Sequence, residues 1–264
     1  MREIKIIDKV FPVPGEWNEL TVKQLRFLTI LLNGESTAQE IKIKMLLFAM
    51  NVQIRNHKKG AFKIKHGRFS CYITADQLTA LSAIYDFLFT ENEEGKPLFD
   101  IRLTKNPLPY LKAKDVRLFG PEDGLTNLSY GQYVMLQTWH QRISGGHWDE
   151  CIDEFLSVIY KPGKFSAVEE GDASLFKTVS PHDKLIAFWF YLGCMAFIRE
   201  KFSRVFSQGD SSGGDIFDAQ MRLIDELAGN DVTKKPAVKE SLLYDAFYTL
   251  DMAIEKVAKN NKNL

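Results

Sequence analysis

What the chain lacks narrows its function first. It has no excess of either charge: Lys and Arg number 34, Asp and Glu 34, and the formal net charge at pH 7 is zero. Bulk attraction to nucleic acid or to an anionic membrane is therefore not its organising principle. It has only three cysteines, Cys71, Cys151 and Cys194, an odd number without metal-ligand spacing, each among apolar or aromatic neighbours. That argues against a disulfide framework or a zinc site and for buried free thiols in a reducing compartment. The longest apolar run, Leu185 to Ile198, holds 14 residues, short of the roughly 20 that cross a bilayer, so it reads as a buried helix. The start, Met1-Arg2-Glu3-Ile4-Lys5, has no apolar segment of the signal-peptide kind. No secretion and no membrane partner are expected.

Catalytic signatures are also missing. There is no P-loop and no GxGxxG following a strand, and no cofactor is expected. Gly209 to Gly214 (Gly-Asp-Ser-Ser-Gly-Gly) is similar to a serine-nucleophile loop in composition only, because no strand-turn-helix surrounds it. His147 and Cys151 stand four apart, with His140 upstream, but Gly145-Gly146 interrupts the group and Cys151 shares the apolar period of Phe155 and Val158. We read them as structural. Asp149, Glu150, Asp153 and Glu154 read as a solvated face with favourable charge at a helix N-terminus.

What is present is a helical grammar. The pattern apolar, Ser/Thr, two residues, Gln, apolar occurs at Leu20-Thr21…Gln24-Leu25, Ile73-Thr74…Gln77-Leu78 and Leu128-Ser129…Gln132-Tyr133. Each is a capping box clamped by an apolar pair, and Ser36…Gln39 has the box without the clamp. These starts predict helices over 22–33, 37–51, 75–90 and 130–143. A helix near 147–160 stops at Lys161-Pro162-Gly163, and Ser180-Pro181 opens another running to about 206. An amphipathic segment over 215–228 and a final helix through Leu243, Phe247, Leu250, Ile254 and Val257 complete the set; the last spacings are those of a short coiled-coil seam.

Two stretches break this period. Residues 62–73 alternate apolar and polar about His66-Gly67, which predicts a β-hairpin, and a weaker alternation over 3–13 offers a strand to join it. Residues 97–127 carry four prolines and read as an extended connector. The expected fold class is mainly α, a helical domain of about seven to eight helices with a small N-terminal β element. The expected organisation is an α+β part over 1–96, the connector over 97–127 and a helical part over 128–264.

The neutral total hides a split: residues 1–70 hold 13 basic and 6 acidic residues, residues 71–264 hold 21 and 28. Lys58, Lys59, Lys63, Lys65 and Arg68 run into the hairpin, and alternation puts Lys63 and Lys65 opposite Phe62 and Ile64. Such a ribbon contacts an acidic protein, contacts phosphates, or merely shields a sheet edge. Trp139 and Trp148 flank the Ser144-Gly145-Gly146 turn, where they anchor a partner or pack two helices.

The phrases Pro14-Gly15-Glu16-Trp17-Asn18-Glu19-Leu20-Thr21, Phe119-Gly120-Pro121-Glu122-Asp123-Gly124-Leu125 and Asn127-Leu128-Ser129-Tyr130-Gly131-Gln132-Tyr133 resemble those of a group of uncharacterised phage and prophage proteins. Phe155 to Pro162 extends the likeness, with Lys161 where the group has Arg. The resemblance touches about a third of the chain and carries over no catalytic residue. It implies a phage structural or assembly protein of the virion or tail-assembly module, located in the host cytoplasm or the virion. Its partners would be other virion proteins or copies of itself. Nucleic-acid binding through the basic hairpin and an enzyme with an unrecognised site stand as the alternatives.

Overall fold

The structure, a computed structural model, describes residues 1–58, 60–163, 171–207 and 216–261. The chain divides into two compact units, Met1–Leu103 and Thr104–Leu264.

The first unit opens with the antiparallel hairpin β1 (Arg2–Ile6) and β2 (Lys9–Val13), followed by α1 (Val22–Leu32) and α2 (Ala38–Ala49). Three strands come next, β3 (Gln53–Lys58), β4 (Ala61–His66) and β5 (Phe69–Thr74), forming an antiparallel sheet in sequence order. Then come α3 (Ala75–Ser82), a 3-10 turn over Ala83–Leu88, and a small hairpin of β6 (Phe89–Glu91) and β7 (Pro97–Phe99). The helices start where side chains cap them. Thr21 donates its N–H to Gln24 Oε1 at 2.8 Å and accepts the Gln24 N–H, and Thr74 and Gln77 do the same. The box of α2 lies one residue beyond Ser36…Gln39: Thr37 pairs with Glu40. Ser36 instead accepts from Lys44, and Gln39 reaches Ser82 at 2.8 Å.

The second unit holds β8 (Tyr110–Ala113), β9 (Val116–Phe119), α4 (Tyr130–Ser144), α5 (Trp148–Ile159), β10 (Lys161–Pro162), α6 (Pro181–Lys201), α7 (Ser203–Ser207), α8 (Ile216–Leu227), α9 (Lys235–Glu240) and α10 (Leu243–Asn261). Its three strands pair in the order β10-β9-β8. Helix α6 buries Ile186 through Tyr191 without a break, as the apolar run requires. Phe155, Phe188 and Tyr191 pack edge to face between α5 and α6, the geometry ring quadrupoles favour. Phe247 of α10 closes a second aromatic group with Tyr130, Tyr133, Phe202 and Phe206.

The fold class expected from the sequence is corrected. The protein is an α+β mix: four small sheets of ten strands and ten α-helical segments among the described residues, with one sheet in the second unit. Strands β8 and β9 have four residues each, too short for alternation to show between flanking prolines. Residues 3–13 do not join the 62–73 hairpin; they pair with each other. The 97–127 stretch carries β7, β8 and β9, and the passage between units falls inside it, at Leu103 and Thr104. The helix expected over 181–206 breaks at Phe202 (φ −112°, ψ 41°). The Gly209–Gly214 loop lies outside the described residues.

Candidate interaction surface

The sheet β3-β4-β5 has two chemically distinct faces, and strand periodicity decides which residue goes where. The register pairs Ile64 with Cys71 and Phe62 with Ile73, so these side chains share one face. That face packs on a small core with Leu78, joined by Ile6, Leu47, Val52, Phe69 and Leu81. Phe11 of β2 closes it with edge-on contacts to His66 (5.5 Å) and Phe69 (6.0 Å).

The opposite face carries the cations. Lys63 lies across from Tyr72, Lys65 from Ser70, and on the other side they meet Asn56 and Gln53 of β3. Lys58 ends β3 with its side chain exposed, and Arg68 sits exposed in the turn from β4 to β5. That turn needs its glycine, since Gly67 has φ +56°, a conformation that costs other residues strain. The Lys63 ammonium stands 6.0 Å from the centroid of the Tyr72 ring, and Tyr72 is 53% exposed. Among the described residues no carboxylate forms an ion pair with Lys58, Lys63, Lys65 or Arg68. Lys59 lies outside the described residues.

Strand β3 carries no mark in the sequence. Its residues Gln-Ile-Arg-Asn-His-Lys are all exposed, so no apolar alternation singles them out. The one available signal is Gly60, which precedes β4 as Gly67 precedes β5 and has φ +76°.

Trp139 and Trp148 belong to the second unit and are half-buried. Trp148 packs edge-on against Phe188 at 5.3 Å, and Arg142 covers Trp139 at 5.3 Å. His147 pairs with Glu150 at 3.2 Å, and Asp153 with Lys184 at 2.5 Å. All three cysteines are buried thiols outside any disulfide. Among the described residues no group of three or more His, Cys, Asp or Glu is placed to hold a metal ion. No helix among them is long and apolar enough to cross a membrane. The second unit also has a cleft of about 550 Å³ lined by Val134, Met135, Met221, Ile224, Val232 and Lys239. Compared with protein-family models, curated proteins and solved structures, the chain matches none.

Proposed function

We propose that the protein is a phage structural or assembly factor that works without catalysis, by binding other virion proteins through its basic sheet. The observation that carries this reading is the grouping of Lys58, Lys63, Lys65 and Arg68 on one sheet whose other face is spent on the core. The sheet is packed from behind on a small core, and its cations have no ion-pair partner among the described residues, so they are available to an acidic surface. Charge of this kind sets the rate and selectivity of encounter more than raw affinity. The phage-like phrases at 14–21, 119–133 and 155–162 supply the biological setting, the host cytoplasm or the virion.

The test uses the purified chain and the proteins encoded by its flanking genes. Binding measured near 50 mM salt should weaken strongly near 300 mM, because exposed charges are screened over about 8–10 Å at physiological ionic strength. Replacing Lys63, Lys65 and Arg68 by Glu should abolish it. Retention of binding by that triple variant overturns the reading. Tight binding of DNA by the unmodified chain, lost in the variant, would assign the surface to nucleic acid instead.

A further inference from the structure

The basic sheet ends on β3, and the edge itself is a second recognition element. In the order β3-β4-β5, strand β3 has a ladder neighbour on one side only. All six of its side chains are exposed, so among the described residues no element covers it. The N–H of His57 is held by the side-chain oxygen of its own neighbour Asn56 at 2.8 Å, a local bond that takes the place of an adjacent strand and that an added strand would displace. Main-chain donors and acceptors left in a row are a template for another extended chain.

We infer that an acidic, extended segment of a partner protein adds to β3 as a fourth strand; this rests on the reading of the sheet as a protein-binding surface. The occupant follows from charge and register. A second copy of β3 would bring Arg55 and Lys58 against Arg55 and Lys58, like charges that oppose copy-to-copy pairing. An acidic chain meets the opposite situation. Its outward-alternating residues fall beside Gln53, Asn56 and Lys58, on the face of Lys63 and Lys65, where carboxylates are matched. Its intervening residues fall beside Ile54, 48% exposed, and His57, where apolar side chains are matched. The recognised pattern is therefore acidic residues beside Gln53, Asn56 and Lys58 and apolar residues beside Ile54 and His57, alternating on either side of the irregularity at Arg55. A nucleic acid satisfies the lysines but offers no main-chain ladder.

The probe is an acetylated, amidated peptide of alternating Glu and Val long enough to span β3. It is compared with the same peptide N-methylated at alternate residues, which keeps the charge and removes the ladder. The expected result is that the plain peptide binds and slows amide hydrogen exchange in β3. The N-methylated peptide and the His57→Pro protein should each lose about tenfold or more in affinity, the scale of one or two lost hydrogen bonds. The N-methylated peptide keeps the test independent of how His57→Pro folds. Equal binding of both peptides overturns strand addition while leaving charge-driven protein contact intact. No binding by either peptide also overturns it. If the flanking-gene proteins then bind with the salt dependence given above, only the mode of contact has failed; if they do not, the protein-contact reading has failed as well.

Discussion

Tyr160 donates its phenol O–H to the carbonyl of Leu108 at 2.9 Å, and Gly120 packs close against the same ring. The two contacts tie the end of α5 to the strands before α4. A Cβ on Gly120 would stand 2.4 Å from the Tyr160 ring, and because the ring is wholly buried it cannot swing aside. Gly120→Ala should destabilise the protein by about 1–3 kcal/mol through overpacking. Tyr160→Phe should cost about 1–2 kcal/mol by orphaning the Leu108 carbonyl. Urea unfolding of each variant checks both; neutrality of Gly120→Ala would mean the ring is not fixed where the hydrogen bond holds it.

The start of α2 separates two capping assignments. The sequence pattern favours Ser36 with Gln39, whereas the structure uses Thr37 with Glu40. Thr37→Ala should lower stability in urea by about 1 kcal/mol and Ser36→Ala by much less. The two hydrogen bonds from Thr37 hold the Glu40 carboxyl below its ordinary 4.5, with Lys44 nearby adding to the effect. A carboxylate whose folded pKa is depressed contributes stability above its unfolded value and loses it as pH falls through the folded one. Glu40→Gln should therefore flatten the acid side of the stability profile below about pH 4.5. An unchanged acid limb would show that the carboxylate does not close the box.

How far a residue's role is legible in the sequence depends on how local that role is. Capping boxes are local, so Thr21, Thr74 and Ser129 are marked by the residues three positions on. The apolar run of α6 is legible because a helix buried on all sides has no other composition. The 62–73 hairpin is legible because one face is core. Strand β3 has no such mark, since both of its faces meet solvent and only its pairing with β4 makes it a strand. Strand β10 depends in the same way on a partner distant in sequence, Lys161 meeting Phe119, while β8 and β9 pair locally but are too short to show alternation. The cations of the candidate surface are visible as a run; their gathering on a sheet with an open edge is not, because the edge belongs to the unmarked strand.

The ion pair between Lys184 and Asp153 joins α6 to α5 at 2.5 Å, with both side chains mostly buried. Asp153 belongs to the acidic cluster that reads as a solvated face, but its partner draws it into the helix interface. Removing one member leaves the other charge poorly solvated, so Asp153→Asn should destabilise by about 1–3 kcal/mol. Glu150→Gln, at the exposed end of the same cluster, should change stability by less than about 0.5 kcal/mol. Equal effects from the two would contradict the burial of the pair.

The chain should lose stability on the alkaline side as its buried thiol and phenols ionise in the unfolded state. Burial pushes the Cys194 thiol far above its ordinary 9.0 and pushes up the phenols of Tyr85, Tyr130, Tyr160 and Tyr191, while Tyr133 is raised to about 12. In each case the charged form is the one disfavoured by desolvation. The unfolded chain ionises these groups near their ordinary values of 9.0 and 10.0, while the folded chain keeps its protons. Above about pH 9 the folded state then binds more protons than the unfolded one, and stability must fall as pH rises. Urea midpoints taken from pH 8 to pH 10.5 should decline monotonically, with little change below pH 8.5 from these groups. Reaction of Cys194 with a thiol reagent at pH 8 should run at least about a hundredfold slower than in denaturant, because it waits on opening of the α6 core. Cys71, on the smaller core behind the basic sheet, should react before it. Prompt labelling of Cys194, or a flat alkaline limb, would mean that this core admits water.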